Sequence, residues 1–228
     1  MKIVAIIPAG GSGFRTGTST PKQFLKFHGK ELIAYTIEVF QYSPLVDEII
    51  VAVNHSYIDF INKLKLKYKL KKISMVVEGG NERQDSVYNA LSVLHLRKND
   101  LVAVHDAARP LLSKEVLNNA IETAGNKGNA VVSIKARDTL LETNDNLYKY
   151  PDRSNIYYIQ TPQIFKYSEL KSAFELAYKN NFYGTDESML MQKAGYKLNL
   201  VEGSLINLKV TTADDLLILK KLLKKSSV

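Results

Sequence analysis

With 228 residues, 45% of them hydrophobic and 24% charged, the chain can bury one substantial core and is too apolar for intrinsic disorder, which fits a single domain over 1–228. It has no cysteine, its four histidines lack zinc-ligand spacing and its longest apolar runs are strand-sized, so disulfides, thiolate metal sites, membrane spans and a signal peptide are not expected, and a soluble cytoplasmic protein is. The net charge of +8 lies largely in Lys63, Lys65, Lys67, Lys69, Lys71 and Lys72 and in Lys220, Lys221, Lys224 and Lys225, without interleaved arginines, so it reads as solvated faces with a bias toward anionic small molecules and not as a nucleic-acid surface.

In chain order, an apolar strand over Ile3 to Ile7 opens into a glycine-rich loop, and a helical stripe follows over Leu32 to Phe40. Strand Glu48 to Val53 leads to helix Tyr57 to Leu66, with the alternating 63–70 segment read as a helix end running into a loop. Strand Ile73 to Val77, helix Asp85 to Leu96, strand Leu101 to His105, helix Lys114 to Ala124 capped by Ser113, and strand Ala130 to Lys135 complete the alternation. The pattern predicts an α/β, Rossmann-like, mostly parallel sheet with helices on both faces. Residues 137–159 change character: two short extended segments flank the turn signal Asn144-Asp-Asn146. They predict a projecting β-hairpin arm. An isolated ribbon is marginal in water, so the arm is expected to pack on a second copy of the chain.

The first loop, Pro8-Ala-Gly-Gly-Ser-Gly-Phe-Arg15 with Pro21-Lys-Gln-Phe24 beyond it, carries the strongest chemical signal. Gly10, Gly11 and Gly13 let the backbone approach a ligand and turn its N–H groups onto phosphate oxygens, while Arg15 and Lys22 add full positive charge. It is not a Walker loop, since Gly17 is followed by Thr18, and Pro21 interrupts the helix that a dinucleotide fingerprint needs. A site for a nucleoside triphosphate fits; a plain surface turn is the alternative. Only six of the 31 basic residues are arginines, and Arg15, Arg83, Arg109, Arg137 and Arg153 all fall in segments singled out on other grounds, where a planar fork suits phosphate or carboxylate. Those segments are Gly79-Gly-Asn-Glu-Arg-Gln-Asp-Ser86 at a helix start, His105-Asp-Ala-Ala-Arg-Pro110 after a strand, Gln160-Thr-Pro-Gln163 read as a proline-stiffened bend, and Asn207-Leu-Lys-Val-Thr-Thr212. In the last, Lys209 is expected to end a strand and Thr211 or Thr212 to cap a helix.

Together, PAGGSGFR with PKQF, GGNERQDSV, VHDAARP, RDT, DRS with QTPQ, TDES, and VEG with NLKVTT resemble the 2-C-methyl-D-erythritol 4-phosphate cytidylyltransferases over nearly the whole chain. The related ribitol-5-phosphate cytidylyltransferases share the nucleotide loop, PKQF, QTPQ and the KVTT ending; Arg137-Asp-Thr139, Asp152-Arg-Ser154 and Thr185-Asp-Glu187 look like the methylerythritol branch. The resemblance implies transfer of a cytidylyl group from CTP to methylerythritol phosphate, with Mg2+ bridging the triphosphate oxygens. It gives Arg15, Lys22 and Lys209 catalytic roles, with Pro8, Ala9, Gly10, Gly11, Ser12 and Gly13 around the phosphates. Gly80, Asn81 and Ser86 would meet the base, and Asp106 and Ala107 the ribose, Asp106 lying also near the metal. Arg109, Thr161, Thr185 and Lys209 would hold the acceptor, joined by Thr139 and Arg153 from the arm of the other subunit of a homodimer. Two positions depart from the family pattern: Asn81 stands where an acid is usual, and Thr16 where a methionine is common. If the base is read through the backbone Asn81 changes little; if a carboxylate is needed, pyrimidine selectivity changes.

Overall fold

The computed structural model describes residues 1–11, 20–144 and 147–225. Beside a short hairpin of β2 (Lys26–Phe27) and β3 (Lys30–Glu31), seven strands form one sheet: β1 (Ile3–Pro8), β4 (Glu48–Val53), β5 (Ile73–Glu78), β6 (Leu101–Val104), β7 (Asn129–Lys135), β10 (Tyr157–Lys166) and β11 (Leu200–Glu202), in the order β11-β7-β10-β6-β1-β4-β5. Six of them run in one direction and β10 runs against its neighbours β6 and β7. The central strands read as continuous apolar runs because helices cover both faces.

Alternate residues of each strand feed two separate cores. Ile3, Ala5 and Ile7 of β1 pack with Ile49, Val51 and Val53 of β4 against α1 (Leu32–Gln41), α2 (Ile58–Lys67) and α4 (Lys114–Lys127). Val4, Ile6, Ile50 and Ala52 face α3 (Arg83–Ser92), α5 (Tyr167–Lys179) and α6 (Glu187–Lys193). A third cluster seats α7 (Ala213–Lys225) through Leu219 and Leu223 on Phe27, Leu32 and Val210. Ser113 caps α4, accepting from the Val116 N–H at 3.1 Å, and Gly128 ends it at φ 91°, a left-handed turn suited to glycine.

Four elements differ from expectation. Helix α3 begins at Arg83, two residues earlier than Asp85, because Glu82 and Asp85 form a reciprocal capping box, and it stops at Ser92, where the chain turns to bury Leu94. The Gln160–Gln163 segment is not a bend between elements but the middle of β10, where the register with β7 shifts between Ile159 and Gln163 and the Thr161–Pro162 peptide is cis. The first residues of β10, Tyr157 to Ile159, pair with Lys135 to Ser133 of β7 and so belong to the sheet although they fall within 137–159. Lys209 ends no strand: it lies in an irregular segment joined to the turn after β6 by Val210 N–H to the Ala108 carbonyl, 2.9 Å. Thr212 is the cap of the helix after it, accepting from Asp215 N–H at 3.3 Å, while Asp215 accepts from the Thr211 and Thr212 amides.

The arm is present as β8 (Glu142–Asn144) paired antiparallel with β9 (Leu147–Lys149). Asp145 and Asn146 of its turn signal lie outside the described residues.

One buried hydroxyl ties α1 to the loop after β6. Thr36, fully buried, donates to the Ala107 carbonyl at 2.9 Å. Thr36→Val keeps the shape and strands that carbonyl; we expect a loss of about 1–3 kcal/mol of unfolding free energy, seen as a lower urea midpoint with unchanged slope.

Candidate active site

Strands β6 and β1 end side by side, β5 lies beyond β4, and the loops that leave the carboxyl ends of these three enclose a cleft of about 430 Å³, the position where open α/β sheets place ligands. Pro8, Ala9, Gly10 and Gly11 form one wall, Gly80 to Arg83 with Ser86 another, and Asp106 to Ala108 the floor, with Lys22 and Lys209 at the sides. Of the residues expected to act on the nucleotide, Pro8, Ala9, Gly10, Gly11, Lys22, Gly80, Asn81, Ser86, Asp106, Ala107 and Lys209 meet here. Ser12, Gly13 and Arg15 lie outside the described residues.

Gln23, which also lines the cleft, fixes the glycine-loop wall by donating to the carbonyls of Ala9 and Gly11 at 2.7 and 2.8 Å. Its turn, Lys22–Phe24, is held by the Phe24 ring, which stacks on Tyr57 at 4.4 Å and meets Phe60 edge-on at 5.2 Å. Lys22 thus projects from a short turn with an aromatic anchor. Opposite, the Ser86 hydroxyl accepts from Gly80 N–H and donates to the Glu82 carbonyl, both at 3.1 Å. A Cβ on Gly79 would stand 2.9 Å from that oxygen and one on Gly10 3.1 Å from it, so the close approach of both loops to Ser86 requires glycine.

Asp106 is the electrostatic centre. Its Oδ1 accepts from Arg83 Nε at 3.0 Å, and its Oδ2 meets Lys209 Nζ at 2.9 Å and Arg109 Nε at 3.5 Å. Burial alone would raise the Asp106 carboxyl; the charges of Arg83, Lys209 and Arg109 outweigh it and hold the group well below the usual carboxylate range. The aspartate is therefore ionised at any working pH. Each arginine is positioned by a second partner. Arg83 makes a two-pronged pair with Glu187, at 2.6 and 3.0 Å, and Arg109 donates to the Asn207 carbonyl at 2.7 Å.

A chain of neutral hydrogen bonds fixes the backbone under this group. Asp106 N–H donates to the Thr161 hydroxyl at 3.1 Å, and a ring nitrogen pair of His105 meets Thr161 Oγ1 through Nδ1 and the Arg109 carbonyl through Nε2, each at 3.0 Å. A carbonyl only accepts, so Nε2 carries the hydrogen. Burial lowers the His105 pKa from 6.5 to about 4, so the ring is neutral at pH 7, its Nδ1 is an acceptor, and the Thr161 hydroxyl donates to it.

The bulged middle of β10 anchors the remaining walls. Gln160 exchanges hydrogen bonds with Ser204 and accepts from Asn207 Nδ2 at 3.2 Å, Asn207 also donates to the Thr161 carbonyl at 2.9 Å, and Gln163 accepts from Ser188 N–H at 2.7 Å. Arg109 and Thr161 consequently sit behind the floor of the cleft rather than in its lining. Thr185 is exposed, its hydroxyl 3.1 Å from Met189 Sδ, and Thr139 and Arg153 are exposed on the arm side, Arg153 donating to the Arg137 carbonyl at 3.0 Å. None of these three lines the cleft of its own chain.

Sequence reasoning gave no role to Gln23, His105, Glu187 or Asn207, and flagged Arg83 only as a scarce arginine. All four stood within motifs already noted, but the roles of Gln23, Glu187, Asn207 and His105 depend on contacts with other segments that leave no local signal.

The neutral His105 has a consequence for stability. Its folded pKa is depressed, so its contribution is complete above pH 6.5 and is lost as the pH falls from 6.5 toward about 4, on the order of 3 kcal/mol in total. Urea unfolding followed over that range is expected to show the decline; a flat profile down to about pH 4.5 would rule out the neutral, buried ring.

A family model described as IspD, 2-C-methyl-D-erythritol 4-phosphate cytidylyltransferase, matches residues 3–225. The Clostridioides difficile protein of that description is 41% identical over 220 residues, covering 96% of this chain and 92% of its own, and the Clostridium acetobutylicum protein is 40% identical over 227 residues, covering 98% of each. Among solved structures, a 4-diphosphocytidyl-2C-methyl-D-erythritol synthase from Anaerococcus prevotii superposes with a TM-score of 0.86 at 27% identity, over 98% of this chain and 96% of that one.

Proposed function

The chain belongs to the 2-C-methyl-D-erythritol 4-phosphate cytidylyltransferase family, and from that premise we propose how its residues carry out the reaction. It transfers the cytidylyl group of CTP to 2-C-methyl-D-erythritol 4-phosphate in the non-mevalonate isoprenoid pathway, giving 4-diphosphocytidyl-2-C-methyl-D-erythritol and pyrophosphate. An oxygen of the acceptor phosphate attacks the α-phosphorus in line. The bond from that phosphorus to the bridging oxygen of the β-phosphate breaks, and pyrophosphate leaves with its electron pair. The protein supplies position and charge, with no covalent intermediate on a side chain.

The observation that carries the residue assignment is the cleft itself, a glycine loop facing a cluster of cations held on one buried aspartate. In our reading the N–H groups around Gly10 and Gly11, continuing through Ser12 and Gly13, cradle the triphosphate, and Arg15, Lys22 and Lys209 neutralise charge on the reacting phosphoryl group. Gly80, Asn81 and Ser86 meet the cytosine, and Asp106 and Ala107 the ribose. Asn81 offers an amide where a carboxylate is usual, while the Gly80 and Ser86 groups do not depend on it. Arg109, Thr161, Thr185 and Lys209 hold the acceptor, Arg109 and Thr161 by fixing the Asp106 turn from behind.

Magnesium belongs to the substrate in this account. Among the described residues no group of three or more His, Asp or Glu side chains could hold a metal, and both Asp106 oxygens are committed to cations. In this reading the nucleotide enters as its magnesium complex, and Asp106 would be a cleft carboxylate near the ion.

We assign the arm to dimerisation. Its strands are three residues each, and Leu147, Tyr148 and Tyr150 are 75%, 67% and 70% exposed, an apolar surface that a lone hairpin cannot cover. The partner's arm would bring Thr139 and Arg153 to the acceptor, with residues 1–228 acting as one catalytic domain in the cytoplasm. No helix of the described residues is long and apolar enough to cross a membrane.

Pyrophosphate release from CTP and magnesium is expected with methylerythritol phosphate and not with ribitol 5-phosphate, and Lys22→Ala is expected to lower kcat/KM by about a hundred- to a thousandfold. Release with ribitol 5-phosphate alone would overturn the acceptor assignment. Sedimentation is expected to give a dimer; replacing Leu147 and Tyr148 together by serine is expected to yield monomers with little turnover.

A further inference from the structure

Arg83, Gln84 and Asp85 open α3, and each reaches a different point of the segment 178–187. The Arg83 fork pairs with both oxygens of Glu187, which is 1% exposed. Gln84, also buried, accepts from Gly184 N–H at 2.8 Å and donates to the Phe182 carbonyl at 3.2 Å. Asp85 accepts from the Tyr178 hydroxyl at 2.7 Å. The loop that these bonds hold has little slack: a Cβ on Gly184 would stand 2.5 Å from Leu190 Cδ1 and 3.2 Å from the Asp186 carbonyl oxygen.

The same helix start builds the nucleotide wall. Gly80, whose Cβ would collide with Asp85, and Ser86 flank it, and Arg83 reaches the cleft floor through Asp106. One helical turn thus touches the base side, the floor, and the loop bearing Thr185. Glu187 and Gln84 do not line the cleft. A staple needed only for stability could be apolar, since replacing a buried ion pair by well-packed hydrophobic residues is often neutral or favourable; what a bidentate pair adds is a defined direction.

We propose that Glu187 and Gln84 are positioning residues for the acceptor: through the first turn of α3 they set the 182–187 loop, and Thr185 on it, in register with the nucleotide pocket. This rests on the reading above that Thr185 meets the acceptor phosphate. Arg83 transmits the constraint, because its guanidinium is divided between Glu187 and Asp106.

The test uses the full chain with E187Q, E187D and Q84M, following KM for each substrate, CTP affinity by calorimetry, and backbone hydrogen exchange. E187Q and Q84M are expected to raise the acceptor KM about tenfold while the CTP KM and Kd stay within about twofold, with E187D recovering part of the loss. The Gly184 and Met189 amides, which donate to Gln84 and Asp186, are expected to exchange about tenfold faster in E187Q without ligand, those of β6 being unaffected. Equal rises in both KM values, or unchanged KM values with only a lower melting midpoint, would overturn the proposal, as would unchanged exchange at Gly184 and Met189. Should E187Q fail to fold, Q84M carries the same kinetic test. A wild-type protein that ignores methylerythritol phosphate, with the exchange difference still present, would refute the acceptor reading and leave the mechanical link supported.

Discussion

A buried carboxylate with three cations around it is the constraint on which the site depends. Asp106 sits at the end of β6 beside the glycine loop of β1, and Arg83, Arg109 and Lys209 each come from a different part of the chain to meet it. Unpaired, any of these charges would be costly in the interior; together they satisfy one another and still leave positive charge in excess, facing the cleft. A site for a triphosphate and a second phosphate needs that excess, and it needs the cations in fixed directions before the ligands arrive, since catalysis by positioning gains nothing from groups that must first be ordered. In the proposed mechanism Asp106 fixes the directions and the ligand phosphates use the surplus.

The antiparallel strand β10 makes the arrangement possible. The bulge between Ile159 and Gln163 offers Gln160, Thr161 and Gln163, and these reach the 204–207 segment, the Asp106 backbone and the start of α6. The polar centre of an otherwise apolar sheet is therefore fully used. Lys209 follows Asn207 by two residues, so the hold on Asn207 by Gln160 and Thr161 also places the lysine.

How much of this was legible in the sequence varied with the range of the interactions involved. Strand β4 starts and ends where the apolar run Glu48 to Val53 does, and Ser113 caps α4 as its type predicts, because local chemistry decides both. The Gln160–Gln163 stretch looked like a loop since its four residues are polar or proline; what makes it part of a strand is backbone pairing with β6 and β7, both distant in the chain. Lys209 and Asp106 announced themselves by residue type beside a strand end and a glycine loop. Glu187 did not, since a glutamate in the first turn of a helix is ordinarily explained by the helix dipole alone. His105 was invisible for a related reason: its tautomer is set by Thr161 and by a carbonyl four residues on, and both become evident only when β6 and β10 lie side by side.

Asp106→Asn separates an organising role from a merely electrostatic one. Removing a negative charge from a polyanion site should, on Coulomb grounds, favour triphosphate binding. If Asp106 instead holds Arg83, Arg109 and Lys209 in their working directions, kcat/KM of the folded variant should fall by about a hundredfold or more despite the added positive charge. An unchanged or higher kcat/KM in a variant with native circular dichroism would contradict the account at its centre.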